Sequence, residues 1–233
     1  MKKNLFAVAV LALAPGVAAA AGGSGALRLG VSETHVGMAG ASANMPGFSL
    51  GVGGLYRGVG IHAGVSFARG AGASLEVLNV RATASPHAAV SPYMSVGLVD
   101  LASLSGATSS QTTYGINPAT GVITPTTTTQ ALPPMSAIMG YGFVGLRARY
   151  SLQPRVILLA HAALGAGFGG STTGLQPAAA AASPLATSLG VGMRYRVTRR
   201  LAAGLTYTRV VVPVRGATYR SGEVAIQVSA LFH

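Results

Sequence analysis

The sequence predicts an all-β protein, a single antiparallel β-barrel of about ten strands that follows a cleaved leader. Three observations favour this fold class. The 233 residues are 50% hydrophobic but only 9% charged, whereas a soluble domain carries about 25% charged residues. After residue 24, apolar side chains recur at every second position, which is the period of a β-strand. The alternate positions hold mainly Gly, Ala and Ser with isolated Arg, a face that suits the crowded interior of a closed barrel.

The first 20 residues have the organisation of a secretory signal peptide. Two lysines precede a ten-residue apolar run at 5–14, and small residues follow it. Cleavage after Ala20 or Ala21 fits this pattern equally well. Without the leader the chain, 21–233 in the first case, has 14 Arg and 4 acidic residues, a net charge of 14 − 4 = +10.

The arginines stand singly or in pairs and form no basic run, so the charge does not predict nucleic-acid binding. For an exported chain, the nearer anions are the phosphates of lipids and polysaccharides. A guanidinium group binds such phosphates through two parallel hydrogen bonds. The chain has no Cys, which leaves neither a lipid-modified cysteine nor a disulfide framework.

The first two predicted strands are 25–44 and 47–57. Both alternate between large apolar and small residues. The apolar phase of the first strand flips between Val31 and Val36, and we interpret this flip as a β-bulge, although an unrecognised turn has the same signature.

The next three strands are predicted at 59–69, 74–83 and 89–103. The first of them has a regular apolar face, and a two-residue turn separates it from the preceding strand. The second has the weakest pattern, because Glu76 and Arg81 lie on opposite faces.

Two longer strands are predicted at 131–151 and 155–168. The apolar phase of the first flips between Phe143 and Val144, and we again interpret the flip as a bulge. If both flips were turns, the barrel would have twelve strands, and if short segments merge it has eight.

The last three strands are predicted at 185–197, 200–212 and 222–232. The first and third show the clearest alternation in the chain, and helical spacing fits neither of them. Their apolar faces include Leu189, Val191, Ile226 and Val228.

An apolar outer face and strands of about ten residues are the signature of an outer-membrane barrel, in which that face meets lipid. Closure is required there, because hydrocarbon offers no partners for the backbone groups of a sheet edge. Four short connections fall at one end, which we predict to be periplasmic: Arg57-Gly58, Ser85 to His87, Gln153 to Arg155 and Thr198 to Arg200. The longer connections, 105–130 and 169–184, then lie outside the cell. The first is rich in Ser and Thr, and we expect a solvated extracellular loop there.

Several segments resemble the small outer-membrane barrels of the YfaZ-like and OmpA/OmpW-like groups. They are the leader, "LRLGVSETHVGMAGASANMPGFSLGVGGLYR" at 27–57 and the ending "GMRYRVTRRLAAGLTYTRV…VAIQVSALF". The resemblance implies a monomeric barrel of eight to ten strands with no established enzyme activity. It also implies that the C-terminal strand, with Phe232 in the penultimate position, is recognised by the barrel assembly machinery. The likeliest residues of an interfacial aromatic belt are Tyr56, Tyr141, Tyr195 and Tyr207.

Charged residues on the small-residue face are the candidate lumenal residues. We predict that Arg28, Arg57, Arg147, Arg149, Arg194 and Arg196 face the lumen and contact anions there, with Glu223 as the acidic residue of the same face. Lipopolysaccharide phosphates are the predicted ligands of Arg209, Arg215 and Arg220.

These patterns favour a structural or surface-contact role without catalytic chemistry and without a cofactor. The alternative is a narrow anion-preferring pore with an arginine-rich lumen, and a more distant alternative is a lipid-modifying hydrolase. The five histidines show no metal-ligand spacing, and the four carboxylates fall in no Ser/His pattern that predicts nucleophilic catalysis.

Overall fold

The structure is a computed structural model that describes residues 25–38, 41–106, 108–116, 122–173, 185–214 and 217–232. The predicted leader lies outside these residues. The described chain is folded into strands throughout, and it contains no helix that is long and apolar enough to cross a bilayer. The strands are β1 Gly25–Met38, β2 Ala41–Tyr56, β3 Val59–Gly70, β4 Ala73–Ala84, β5 Val90–Leu104, β6 Thr108–Ile116, β7 Ile123–Ala131, β8 Met135–Gln153, β9 Val156–Thr173, β10 Leu185–Arg196, β11 Leu201–Val214 and β12 Ala217–Phe232.

Ten of these strands form a closed antiparallel barrel in the order β1-β12-β11-β10-β9-β8-β5-β4-β3-β2. The first and last strands complete the wall, with an uninterrupted register from Gly25 opposite Phe232 to Gly37 opposite Arg220. Every strand of the barrel therefore has two hydrogen-bonded neighbours, and the barrel has no sheet edge. The predicted fold class and strand number are confirmed.

The two ends of the barrel differ in their connections. Short turns join β2 to β3, β4 to β5, β8 to β9 and β10 to β11 at the end where β1 begins and β12 finishes. We call this end the turn end and the opposite one the loop end. The turn between β2 and β3 has two residues, Arg57 and Gly58, with positive φ angles of 47° and 81°, the combination that type I′ hairpins require. All four predicted short connections lie at the turn end.

Neither flip of the apolar phase is a bulge or a turn. Val31 is 63% exposed on the outer wall and Val36 is fully buried inside the barrel, yet the pairing of β1 with both neighbours continues through these residues without a shift. The pairing of β8 is likewise continuous across Phe143 and Val144. The bulge interpretation is wrong because apolar residues occupy both faces of these strands, at different heights in the barrel.

Several predicted strand boundaries are also wrong. Strand β8 begins at Met135 instead of 131, β9 ends at Thr173 instead of 168, and β12 begins at Ala217 instead of 222. The turn after β1 falls between Met38 and Ala41, so residues 41–44 belong to the second strand and not to the first. The weak prediction at 74–83 corresponds to β4, in which Arg81 faces the interior. Glu76 faces outward, paired in register with Asp100 of β5.

The Ser/Thr-rich connection is a hairpin and not an irregular loop. Strands β6 and β7 pair along their whole length, from Thr108 opposite Ala131 to Ile116 opposite Ile123, and extend from the loop end of the barrel. Hydroxyl pairs such as Thr112 Oγ1 and Thr127 Oγ1, 3.1 Å apart, link the two strands. Threonine favours this arrangement because its branched side chain suits a strand and can hydrogen bond across it.

A belt of apolar side chains surrounds the outer wall. Leu189, Val191, Ile226 and Val228 are all exposed on it, as predicted. Two of the predicted belt tyrosines, Tyr195 and Tyr207, also point outward. Tyr141 does not, because it is buried in the interior, and the side chain of Tyr56 lies outside the described part. Exposed apolar surface on this scale marks an interface, and around a closed barrel it is the surface that acyl chains cover.

Candidate functional site

The interior of the barrel has two levels, and the level nearer the loop end is apolar. Every strand of the barrel contributes to a buried cluster there, with alanines on β3, β9 and β10 and larger side chains on the others. We call its large members the plug. The plug consists of Val36, Met38, Met45, Leu75, Val99, Leu101, Leu104, Met135, Met139, Tyr141, Val212 and Tyr219. Val36, Met45 and Leu101 have no solvent exposure, so the side chains of the plug pack against one another at this level of the interior.

The level below the plug is lined by arginines. Arg28 of β1, Arg81 of β4, Arg147 of β8 and Arg194 of β10 all point inward, and the charge of Arg28 is repelled by the other three. We call these four residues the arginine layer. Each is partly buried. Alternation places them inside because their strand neighbours, such as Val144 and Val191, take the outer face.

Two histidines and a tyrosine lie in the arginine layer. His62 of β3 is buried among the charges of Arg28, Arg81 and Arg147. The guanidinium carbon of Arg81 lies 5.0 Å from the ring centroid of Tyr93, in a cation–π contact. The edge of the His161 ring meets Tyr93 at 5.9 Å between centroids, and His161 Nε2 lies 3.3 Å from Ser188 Oγ.

Glycines opposite these rings make the room for them. A Cβ atom at Gly190 would collide with the His161 ring, and one at Gly51 would come within 2.8 Å of His62 Nε2. Small residues on the inner face are therefore needed for the histidines to point into the barrel.

The arginine layer has no carboxylate partner. The whole chain has four acidic residues, and Glu33, Glu76 and Asp100 occupy outward positions of the register. The fourth, Glu223, faces the interior as predicted, but it hydrogen bonds with Ser32 and its charge acts on Tyr141 and Tyr219 of the plug. Among the described residues, no ion pair joins Glu223 to the arginine layer.

Three buried polar atoms in this layer have no hydrogen-bond partner in the described residues. They are Nε of Arg81, Nε2 of His62 and the hydroxyl oxygen of Tyr93. Buried polar atoms are normally hydrogen bonded, and each exception calls for an explanation. Arg81 was not among the predicted site residues, because Glu76 on the opposite face of its strand obscured the pattern. The period-two rule applied from Leu78 and Val80, taken as the outer face, places Arg81 inside.

The remaining predicted lumenal arginines lie at the turn end. Arg149 and Arg196 occupy inward positions at the mouth of the barrel, and Arg149 Nη1 is 3.3 Å from Nδ1 of His87. Arg57 is different, because it lies exposed in the turn between β2 and β3 and not in the lumen. Its predicted lumenal position is wrong for a simple reason: the alternation of the strand ends one residue earlier.

A second polar site lies on the outer wall near the loop end. Arg209 of β11 and Arg220 of β12 both point outward, on diagonal positions around Gly222. They line an open groove of about 790 Å³ together with Glu33, His35 and Asn44. His35 Nδ1 and Asn44 Oδ1 are 2.6 Å apart in this groove. The third predicted residue of this set, Arg215, lies outside the described residues.

The groove lies directly above the apolar belt. Tyr207 and Val224, which also line it, continue downward into the exposed apolar side chains Leu205 and Ile226. An arrangement of arginines immediately beyond an apolar belt matches the order of phosphate and acyl chain in a lipid.

No protein-family model matches the chain, and no curated protein is similar to it in sequence. Three bacterial proteins are among the similar solved structures. Neisserial surface protein A has 10% sequence identity and a TM-score of 0.42, with 89% of this chain and 98% of that chain covered. The outer membrane protease OmpT from Escherichia coli has 9% identity and a TM-score of 0.48, with 90% and 97% covered. The attachment invasion locus protein Ail of Yersinia pestis has 9% identity and a TM-score of 0.37, with 90% and 99% covered.

Proposed function

We propose that the protein is a closed barrel of the bacterial outer membrane with a structural or surface-contact role and no catalytic chemistry. The observation that carries this proposal is the combination of an apolar belt outside and the plug inside. The belt requires lipid around the wall, and the plug fills the lumen near the loop end. We also propose an orientation in the membrane. The turn end faces the periplasm, and the hairpin of β6 and β7 extends from the cell surface.

The orientation can be tested by labelling single cysteines, because the chain has no Cys of its own. Thr113→Cys places a thiol on the hairpin, and Thr198→Cys places one in a turn at the opposite end. In intact cells, a membrane-impermeant maleimide should label the first variant and not the second. Both should be labelled after the cells are broken. Labelling of Thr198→Cys alone in intact cells would reverse the orientation.

The closed lumen distinguishes this proposal from the anion-preferring pore. Purified protein in a planar bilayer should show baseline conductance with either polarity. Stable single-channel steps that are selective for anions would favour the pore. In that case the double variant Arg147→Ala and Arg194→Ala should reduce the selectivity, and a change at Arg209 on the outer wall should not.

The groove on the outer wall supports a contact with lipopolysaccharide phosphates through Arg209 and Arg220. Thermal unfolding of the protein in uncharged detergent gives the test. Added lipopolysaccharide should raise the Tm of the native protein and raise it less in the double variant Arg209→Gln and Arg220→Gln. An equal rise in both proteins would remove this contact from the proposal.

The pairing of β12 with β1 supports two further proposals, one about assembly and one about the oligomeric state. We propose that this strand is recognised by the barrel assembly machinery, because its pairing with β1 closes the wall. We also propose a monomer, since closure leaves no edge strand for another copy. Deletion of 222–233 should stop insertion into the membrane, and light scattering of the folded protein in detergent should give the mass of one chain.

A further inference from the structure

We propose that the arginine layer is a binding site for a small multivalent oxyanion of the phosphate class, which enters from the turn end. The inference rests on the proposed function for one point only, the exposure of the turn end to the periplasm. The site consists of Arg28, Arg81, Arg147 and Arg194, with His62 beside them.

The interior of the barrel carries an excess of positive charge. Four partly buried guanidinium groups repel one another there, and the single interior carboxylate, Glu223, is engaged at the plug. Charges removed from water are tolerated only when a counter-charge or hydrogen-bonding groups compensate them. Every carboxylate side chain of the protein is accounted for elsewhere, so the compensating negative charge has to come from a ligand or from solution ions.

The geometry selects the class of anion. A guanidinium group presents a planar fork that matches two oxygens of a phosphate. Forks on β1, β4, β8 and β10 converge from different sides of the barrel, so one ligand with several charged oxygens can engage more than one of them. Chloride lacks the paired oxygens that match a guanidinium fork. The partnerless Nε of Arg81 is one donor that such a ligand would satisfy.

Access is set by the plug. The buried side chains of the plug close the path to the loop end, whereas Arg149 and Arg196 surround the opposite mouth. Positive charge at a mouth attracts anions and raises their local concentration. The ligand therefore enters and leaves on one side, and the barrel wall binds it without conducting it.

The test measures thermal unfolding of the full-length mature protein in uncharged detergent and phosphate-free buffer. Inorganic phosphate and pyrophosphate should raise the Tm with a saturable dependence, since a ligand that binds only the folded state stabilises it. Chloride at the same ionic strength should give a smaller rise without saturation. Equal effects of chloride and pyrophosphate would overturn the proposal.

The matched variants are Arg81→Met with Arg147→Met inside the barrel, and Arg209→Met with Arg220→Met on the outer wall. The interior variant should bind pyrophosphate about tenfold more weakly or worse, and the outer variant should bind it like the native protein. Without ligand, the interior variant should also have a higher Tm than the native protein, because its arginines repel one another less. A purely structural role of these arginines predicts a lower Tm instead, and that result would overturn the proposal.

Two controls separate the possible failures. A heat-dependent shift in gel mobility reports the closed barrel for each variant. If the native protein lacks this shift, the proposed function fails, whereas a normal shift without a response to phosphate overturns only the present inference. Glycerol 3-phosphate identifies the source of the ligand. Binding equal to that of inorganic phosphate assigns a phosphate ester or headgroup, and binding of inorganic phosphate alone assigns the free ion.

Discussion

The two levels of the interior are built from the same strands and differ in what their inward positions hold. On β8, Met135 and Met139 belong to the plug. Arg147, eight residues after Met139 on the same face of the strand, belongs to the arginine layer. Apolar side chains in the plug stabilise the fold by about 1.5–3 kcal/mol each when fully buried. Guanidinium groups in the arginine layer oppose folding unless they are compensated. The same strands thus carry an apolar level that stabilises the fold and a charged level that we propose as a ligand site.

The largest expected effect is the loss of packing in the plug. Leu101→Ala removes a side chain with no exposure and should lower the free energy of unfolding by about 2–5 kcal/mol. The matched control is Leu98→Ala on the same strand, whose side chain is exposed on the belt and should cost clearly less. Urea unfolding in detergent micelles measures both. Equal losses would show that the plug contributes no more to stability than the belt does.

A smaller effect is expected from overpacking beside the arginine layer. Gly190→Ala brings a Cβ atom into the His161 ring and should destabilise the barrel by about 1–3 kcal/mol. Adding His161→Ala should recover most of this loss, because the colliding ring is gone. A double-mutant cycle on the free energy of unfolding gives the coupling. Strictly additive losses would contradict the contact.

The arginine layer should respond to mutation in the opposite direction from the plug. Arg147→Met removes one of the repelling charges and should raise the free energy of unfolding by about 1 kcal/mol in low salt. The gain should shrink as salt is added, because ions screen the repulsion. Arg196→Met at the exposed mouth is the control, with an expected change near zero. A destabilised Arg147→Met protein would show that this arginine has a stabilising partner.

The smallest effect is expected in the hairpin, which lies outside both levels. Thr127→Ala removes the hydroxyl opposite Thr112, and such a cross-strand pair contributes about 0.2–1 kcal/mol locally. Proteolytic cleavage between β6 and β7 should become faster while the Tm of the barrel stays the same. A fall in the Tm would mean that the hairpin contributes to the stability of the barrel.

Alternation predicted the barrel well because it depends only on which residues are large and apolar. The outward faces of Leu189 and Ile226 and the turn at Arg57-Gly58 follow from it directly. Alternation failed where both sides of the wall are apolar. Val36 and Tyr141 face a packed interior, Val31 and Val144 face the belt, and hydropathy alone does not distinguish these two environments. The phase flips therefore suggested β-bulges at positions where the strand register is continuous.

The candidate site was predicted in part. Arg28, Arg147 and Arg194 lie together inside, as their faces indicated, because the inner positions of three strands converge at one height. The missing member, Arg81, shares its strand with an outward carboxylate, and a single strand offers too few positions to outweigh one misleading residue. The absence of a partner for the arginine layer required the register, since the sequence alone left Glu223 available to it.

The seam between β1 and β12 has a consequence for how the protein is made. Val36 and Tyr219 meet in the plug although they stand near opposite ends of the chain, so this packing cannot form until the final strand has been delivered. Contacts between residues so far apart in the sequence form slowly, and apolar surface stays exposed until they have formed. The apolar side chains of the plug are therefore the surface that stays uncovered until β12 pairs with β1.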